Sequence, residues 1–279
     1  MKLDFSYTMT IEFDCTVNRQ FFALRCIPQS NLRQRIIKLQ ARIQPDAKAE
    51  SRVDGFGNCV MEGSIWEKAE YFRVTVEGLA EVPDGNSYDI QSGIYIAEEM
   101  AKEYDAVFYS QATGLTTVGS GLSAYAGQLR EEWSNGNDIQ CRDRGAFAEY
   151  VMHSLHNRLS YRKYTTDVNT TAEEAFVGGG GVCQDYAHIM IALLRVFGIP
   201  SRYVVGIMGG EGMSHAWVEV LEGEYWYGYD PTNDCRVADC YIKFSHGRDY
   251  NDCRINRGIF AGCAVQHQQV EAVVSEHEQ

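Results

Sequence analysis

Three residues of the 279-residue chain have the types and the order of a thiol-based catalytic site: Cys183, His215 and Asp230. Cys183 sits in Gly-Gly-Gly-Gly-Val-Cys-Gln-Asp-Tyr-Ala-His (178–188), where a glycine run ends and a strongly apolar helical pattern begins. A helix N-terminus offers unpaired N–H groups and the positive end of the macrodipole, and both favour a thiolate over a thiol. Downstream lie Ser214-His215-Ala216-Trp217 and Tyr229-Asp230-Pro231-Thr232. The order suggests a nucleophile, its base and the residue that orients the base. In that scheme Asp230 holds the imidazole by its Nδ1 proton, and Nε2 takes the thiol proton and later delivers it to a leaving amine. The backbone N–H of Cys183 is the first candidate oxyanion donor.

Other chemistry-bearing residues read as structural. His188 is nearer to Cys183 in sequence, but five residues along a helix are roughly 140° around its axis. It reads as a core histidine, bonded to Asp185 one turn earlier. Asp185 itself falls in the first helical turn, where an acid caps free N–H groups. No Gly-Lys-Ser or Gly-Lys-Thr follows the glycine run, so close approach of substrate backbone explains it better than a phosphate cradle does. The nine cysteines (Cys15, Cys26, Cys59, Cys141, Cys183, Cys235, Cys240, Cys253, Cys263) are odd in number, scattered, and without a Cys-x-x-Cys pair. They suggest neither a disulfide framework nor a structural zinc, and most read as small buried hydrophobes. No cofactor and no metal is expected.

The elements that must position these residues follow from periodicity. Val182 to Phe197 is apolar on nearly every face and ends at Gly198 with Pro200 beyond, the signature of a buried helix with a defined stop. Ser201 to Gly206, His215 to Leu221 and Tyr225 to Tyr229 read as strands, the last two joined at Glu222-Gly223-Glu224. His215 opens one strand of that hairpin and Asp230 closes the next, so the two can lie side by side. Leu122, Tyr125, Ala126 and Leu129, then Phe147, Val151, Leu155 and Leu159, mark two packing helices after a connecting stretch from Tyr88 to Leu115. Before about residue 95 the period is two: Phe5 to Phe13, Ile37 to Ile43 and Phe72 to Val76 alternate, with turn chemistry in Asp54-Gly55-Phe56-Gly57-Asn58. The expected class is α+β. An N-terminal β-sandwich (1–105) precedes a catalytic domain of one helix on an antiparallel sheet (106–245) and a strand-containing extension (246–279).

A formal charge of -13 argues against nucleic acid or an anionic membrane surface as partner. No segment approaches the roughly 20 apolar residues of a membrane span, and Met1 to Cys15 alternates instead of showing a signal-peptide core. A cytoplasmic location is the expectation.

At these motifs the chain resembles the bacterial transglutaminase-like family, whose members are often described as cysteine proteases. Gly-Val-Cys-Gln-Asp-Tyr-Ala-His (181–188), Gly-Ile-Pro-Ser-Arg-Tyr-Val-Val-Gly (198–206), Ser-His-Ala-Trp-Val-Glu-Val (214–220) and Asp-Pro-Thr-Asn (230–233) carry the resemblance. Tyr161 with Thr166 to Ala172, the Asp54 to Asn58 turn, and Gly247-Arg248-Asp249-Tyr250 extend it. The resemblance implies a papain-like α+β catalytic domain and gives Cys183, His215 and Asp230 the roles above. It also implies a side chain upstream of the cysteine that helps hold the oxyanion, for which Tyr161 is the candidate. Tyr164 departs from the family, standing where a small residue is common. The expected activity is a peptidase or amidase acting on a peptide or amide substrate. A transglutaminase, in which an amine resolves the thioester, and a non-catalytic peptide-binding scaffold are the alternatives.

Overall fold

The alternation that starts near Phe5 runs through one long strand, β1 (Lys2–Leu24), in a computed structural model that describes residues 1–83, 96–134 and 143–278. Cys141 and the start of the connecting stretch at Tyr88 lie outside the described residues. Four strands follow β1: β2 (Arg35–Gln44), β3 (Lys48–Val53), β4 (Cys59–Ile65) and β5 (Ala69–Glu81). Leu3, Phe5, Tyr7, Met9, Ile11 and Phe13 turn one face of β1 into the core, as a period of two requires. The first half of β1 pairs with β5, whose other edge holds β2, and the second half pairs with β4, which holds β3. β1 thus passes from one sheet to another, and its register with β5 shifts between Glu12 and Val17. In β2 the expected alternation does not produce a buried face throughout. Ile37 and Leu39 are about 40% exposed, because a register irregularity between Ile36 and Lys38 falls on this strand, whose one partner is β5.

The second half begins with β6 (Glu99–Met100), the short α1 (Asp105–Phe108), α2 (Ser120–Ser134) and α3 (Arg144–Arg158). Leu122, Tyr125, Ala126 and Leu129 are the buried stripe of α2, and Phe147, Val151 and Leu155 belong to that of α3. β7 (Ser160–Tyr161), α4 (Ala172–Gly178) and β8 (Gly180–Gly181) then lead into α5 (Cys183–Val196). α4 was not legible from periodicity; a Thr171/Glu174 capping box starts it and Gly179, at φ 77°, ends it. Every residue of α5 from Asp185 to Arg195 is buried, since the sheet lies on one side and the other helices on the next. The sheet consists of β9 (Ser201–Met208), β11 (His215–Glu222), β12 (Tyr225–Asp230), β13 (Cys235–Arg236) and β14 (Tyr241–Gly247), in the order β13-β12-β11-β9-β14, with β6 on β12. Between β9 and β11 lies the short β10 (Gly210–Gly212).

The chain ends by returning to its start. β15 (Asn256–Ala261) pairs with the second half of β1 and β16 (Gln266–Glu276) with the first. β10 in turn pairs with β16, Gly210 opposite Val274 and Gly212 opposite Ala272, so the loop entering His215 is held by the sheet of β1. The two halves are also bolted through buried polar groups. Asn58, from the Asp54 turn, donates to the His246 carbonyl and accepts from its N–H, both at 2.8 Å. Arg33 pairs with Glu98 at 2.8 Å, and the Gln34 side chain accepts from the Lys243 N–H at 2.8 Å and donates to its carbonyl at 2.9 Å. Within the second half Arg202 and Glu219 pair at 2.5 Å across β9 and β11, Lys243 of β14 joins Glu219 at 2.7 Å, and Glu99 reaches Arg202 at 2.8 Å. All eight described cysteines are free, and only Cys26 and Cys253 are fully buried. The expectation of mostly buried thiols fails: Cys59, Cys183, Cys235 and Cys240 are partly exposed, and Cys15 and Cys263 sit where the β15–β16 turn crosses β1 at the surface, Cys15 Sγ 3.3 Å from the Cys263 carbonyl.

Candidate active site

Cys183 is the first residue of α5. Its position is set by the backbone before it. The Asp185 carboxylate turns back and accepts from the Val182 N–H at 2.7 Å, capping the helix start as an acid in the first turn can. The Thr166 hydroxyl donates to the same Asp185 oxygen at 2.7 Å. Gly181 leaves the space this needs, since a Cβ there would strike that oxygen. β7 and β8 pair in parallel, Tyr161 opposite Gly181, which brings the Tyr161 strand alongside the glycine run.

His215 opens β11 and Asp230 closes β12, as strand patterning predicts. The ring and carboxylate meet at 2.7 Å, with Asp230 fully buried and His215 9% exposed. The nitrogen that meets Asp230 differs from the expected one: it is Nε2 and not Nδ1, and Cys183 lies near enough to raise the pKa of the ring. Asp230 reaches Nε2 from the end of β12, the strand paired with β11. Burial alone would lower the His215 pKa. The hydrogen bonds to Asp230 and then Cys183, with their charges, outweigh it and push the value up to about 10. Burial likewise would raise Asp230, but its bonds to His215, Asn233 and Tyr241 hold the carboxyl below its ordinary value.

Asp230 is satisfied on both oxygens. Oδ1 accepts from the Thr232 and Asn233 N–H groups at 2.9 and 3.2 Å, while Oδ2 accepts from the Asn233 amide at 2.7 Å and the Tyr241 hydroxyl at 2.8 Å besides His215. Tyr241 packs edge-on against Trp217 at 5.4 Å, and Trp217 stacks beside His215 at 6.4 Å, so one aromatic wall steadies both halves of the pair. Asn233 and Tyr241 escaped sequence reasoning. The Asp-Pro-Thr-Asn order signals an Asx turn that starts at Asp230 and carries Asn233 back to its carboxylate; nothing in the pattern points eleven residues on to Tyr241.

Tyr161 is half exposed and near enough to Cys183 and Asp185 that, after desolvation, their charges raise its pKa. His188 is fully buried and away from the sulfur, as its helical angle implies, but Asp185 is not its partner. His188 Nε2 accepts from the Tyr250 N–H at 3.2 Å, and burial followed by the Arg195 charge holds its pKa down to about 3. The expected His188–Asp185 bond fails because Asp185 is turned toward the helix start. Among the described residues no cluster of three or more His, Cys, Asp or Glu side chains has the arrangement of a metal site, and no helix is long and apolar enough to cross a membrane.

Known proteins share this arrangement of elements. Residues 134–231 match the transglutaminase-like superfamily core, and residues 3–81 match the bacterial transglutaminase-like N-terminal region. An uncharacterized protein of Mycobacterium leprae is 28% identical over 264 residues, covering 90% of each chain, and one of Mycobacterium tuberculosis is 25% identical over 252 residues, covering 83% of this chain and 79% of its own. The crystal structure of "a Putative Cysteine Protease from Cytophaga hutchinsonii" superposes with a TM-score of 0.75 at 17% identity, covering all of this chain and 92% of that one, a likeness of fold. The chain belongs to the transglutaminase-like superfamily, in the form that carries the bacterial transglutaminase-like N-terminal region.

Proposed function

We propose that this chain is a thiol-dependent acyl-transfer enzyme that cleaves a peptide or amide bond, with Cys183 as nucleophile, His215 as acid and base, and Asp230 as the residue that orients His215. The observation that carries the reading is the buried His215–Asp230 pair at 2.7 Å, with Cys183, the first residue of α5, near enough to raise the pKa of the ring. The Cys183 sulfur attacks the carbonyl carbon and its proton resides on His215 Nδ1. The oxyanion forms beside the Cys183 N–H, with the Tyr161 hydroxyl as second donor. His215 then gives its proton to the nitrogen as the C–N bond breaks, leaving a thioester and an amine. Forming the S–C bond removes the sulfur's charge while the Asp230 bond remains, so the ring becomes a better acid as the amine departs. Water attacks the thioester, His215 takes its proton, and the acid and the free thiol are released.

Thiol-directed peptide and amide probes test this reading, with Cys183→Ala as control. The expected result is one covalent adduct, on Cys183, formed at least about tenfold faster at pH 6 than on an ordinary exposed thiol and slowed to that rate in His215→Ala. Equal rates in the two proteins would sink the activated-nucleophile claim. Incubation with a glutamine peptide and a labelled primary amine then decides the acceptor: incorporated label means a transglutaminase, and released ammonia without label means a hydrolase.

A further inference from the structure

Residues 162–166 form a turn clamped at both ends to the start of α5. The Arg162 N–H donates to the Gly181 carbonyl at 2.8 Å, and the Thr166 hydroxyl donates to Asp185 at 2.7 Å. Gly181 and Asp185 lie two residues either side of Cys183, so the turn rides on the backbone that fixes the sulfur. The Thr165 hydroxyl closes it on the Arg162 carbonyl at 3.2 Å. At the tip Tyr164 has φ 66°, the left-handed region that a residue with a bulky side chain enters at a cost, and its side chain is 99% exposed. At that exposure neither ring nor hydroxyl packs on the chain. The ring itself adds nothing that offsets the strained backbone, and such outliers persist where a function uses them.

We propose that Tyr164 is a specificity-determining residue whose ring packs against an aromatic side chain of a peptide substrate, close to the amide that Cys183 attacks; the assignment rests on the thiol-enzyme reading above. Tyr161, half exposed, three residues earlier and near enough to Cys183 to feel its charge, is a second tyrosine on the stretch that runs beside the start of α5. Two rings on one flank reward a third ring over an aliphatic group, because edge and face contacts between rings add to the area they bury. The clamp matters as much as the ring: bonds to Gly181 and Asp185 hold the backbone that carries Tyr164 beside the start of α5, while the ring stays free to turn onto a substrate.

The test separates binding from turnover by using the Cys183→Ala protein and fluorophore-labelled pentapeptide amides, all-alanine or with one phenylalanine at each position in turn, followed by fluorescence anisotropy. At one position phenylalanine should bind about fivefold tighter than alanine. Tyr164→Gly should bring that ratio near one, and Tyr164→Phe should keep it. Because glycine is at ease at positive φ and the lost ring supports nothing, Tyr164→Gly should also raise Tm by about 1–3 °C. The assignment is overturned if no position shows a preference, if Tyr164→Gly keeps it, or if Tyr164→Gly lowers Tm, which would place the ring in the fold. With Cys183 in place, a phenylalanine preference without turnover or adduct counts against the thiol chemistry and leaves Tyr164 where the binding data put it.

Discussion

At the scale of single residues, the site turns on how many partners one carboxylate holds. Asp230 accepts five hydrogen bonds, and three of them converge on the oxygen that faces His215. A carboxylate so held stays ionised, stays put, and keeps the imidazole protonated from behind. The sulfur does the same from in front. Cys183→Ala should therefore lower the His215 pKa below its wild-type value near 10, because one hydrogen bond and one neighbouring charge disappear while the Asp230 bond remains. A 1H–15N NMR titration of the ring reads this directly, and an unchanged midpoint would mean the ring does not touch the thiol. The types and order of Cys183, His215 and Asp230 were legible in the sequence because each sits at an element boundary with a strong local signature. Which ring nitrogen faces which partner was not, since that depends on the stagger of two strands. Tyr241 was invisible for a related reason: it reaches Asp230 from β14, and no short-range rule links residues eleven apart across a sheet.

At the scale of elements, the sulfur is aimed by the start of α5 and by the glycines before it. Burial raises the Asp185 pKa, while its bonds to Thr166 and Val182 pull the other way and hold the carboxylate against the helix start. Gly181→Ala should drive a methyl group into that carboxylate, break the cap on the Val182 N–H and tilt the first turn of α5. Overpacking of this kind costs about 1–3 kcal/mol of stability, but a shift of the nucleophile by a fraction of an ångström should reduce kcat by about a hundredfold. Urea denaturation and the rate of covalent labelling measure the two effects on one sample; a stability loss with full labelling rate would show that the cap does not aim the sulfur. The run of glycines was legible as a place of close approach, but what approaches Gly181 is the chain's own Asp185 and not only a substrate. The α5 helix and the β11–β12 hairpin were predictable within a residue or two from periodicity and stop signals. By contrast, α4 is only seven residues long and too short for a period to register, so its capping box is the only local sign of it.

At the scale of the whole molecule, three buried histidines set opposite slopes in the dependence of stability on pH. His188 and His246 are both held uncharged by burial, with His188 near 3. Between that value and the ordinary 6.5 the unfolded chain binds protons that the folded one refuses, so stability rises with pH across this window. His215 acts in reverse. Its stabilisation is complete below pH 6.5 and is lost as pH climbs through about 10, where the folded ring gives up the proton that Asp230 and Cys183 favour. Glu98, Asp185 and Glu222, raised by burial, oppose the acid limb above the ordinary carboxylate range, where the folded chain already takes up their protons, while Glu219 and Asp230, both lowered, reinforce it below that range. These carboxylates are common to the wild type and a His188 variant, so the difference between the two isolates the histidine from pH 6.5 to about 4.5. His188→Gln keeps an oxygen to accept from the Tyr250 N–H and has no proton to refuse. Its urea-unfolding free energy, less that of the wild type, should grow by about 1.4 kcal/mol for each pH unit descended through that window and stay constant from pH 6.5 to 10, where His215 is common to both proteins. A difference that does not change with pH would mean that His188 carries the same charge in the folded and unfolded chain, and the buried, neutral histidine at the centre of α5 would have to be given up.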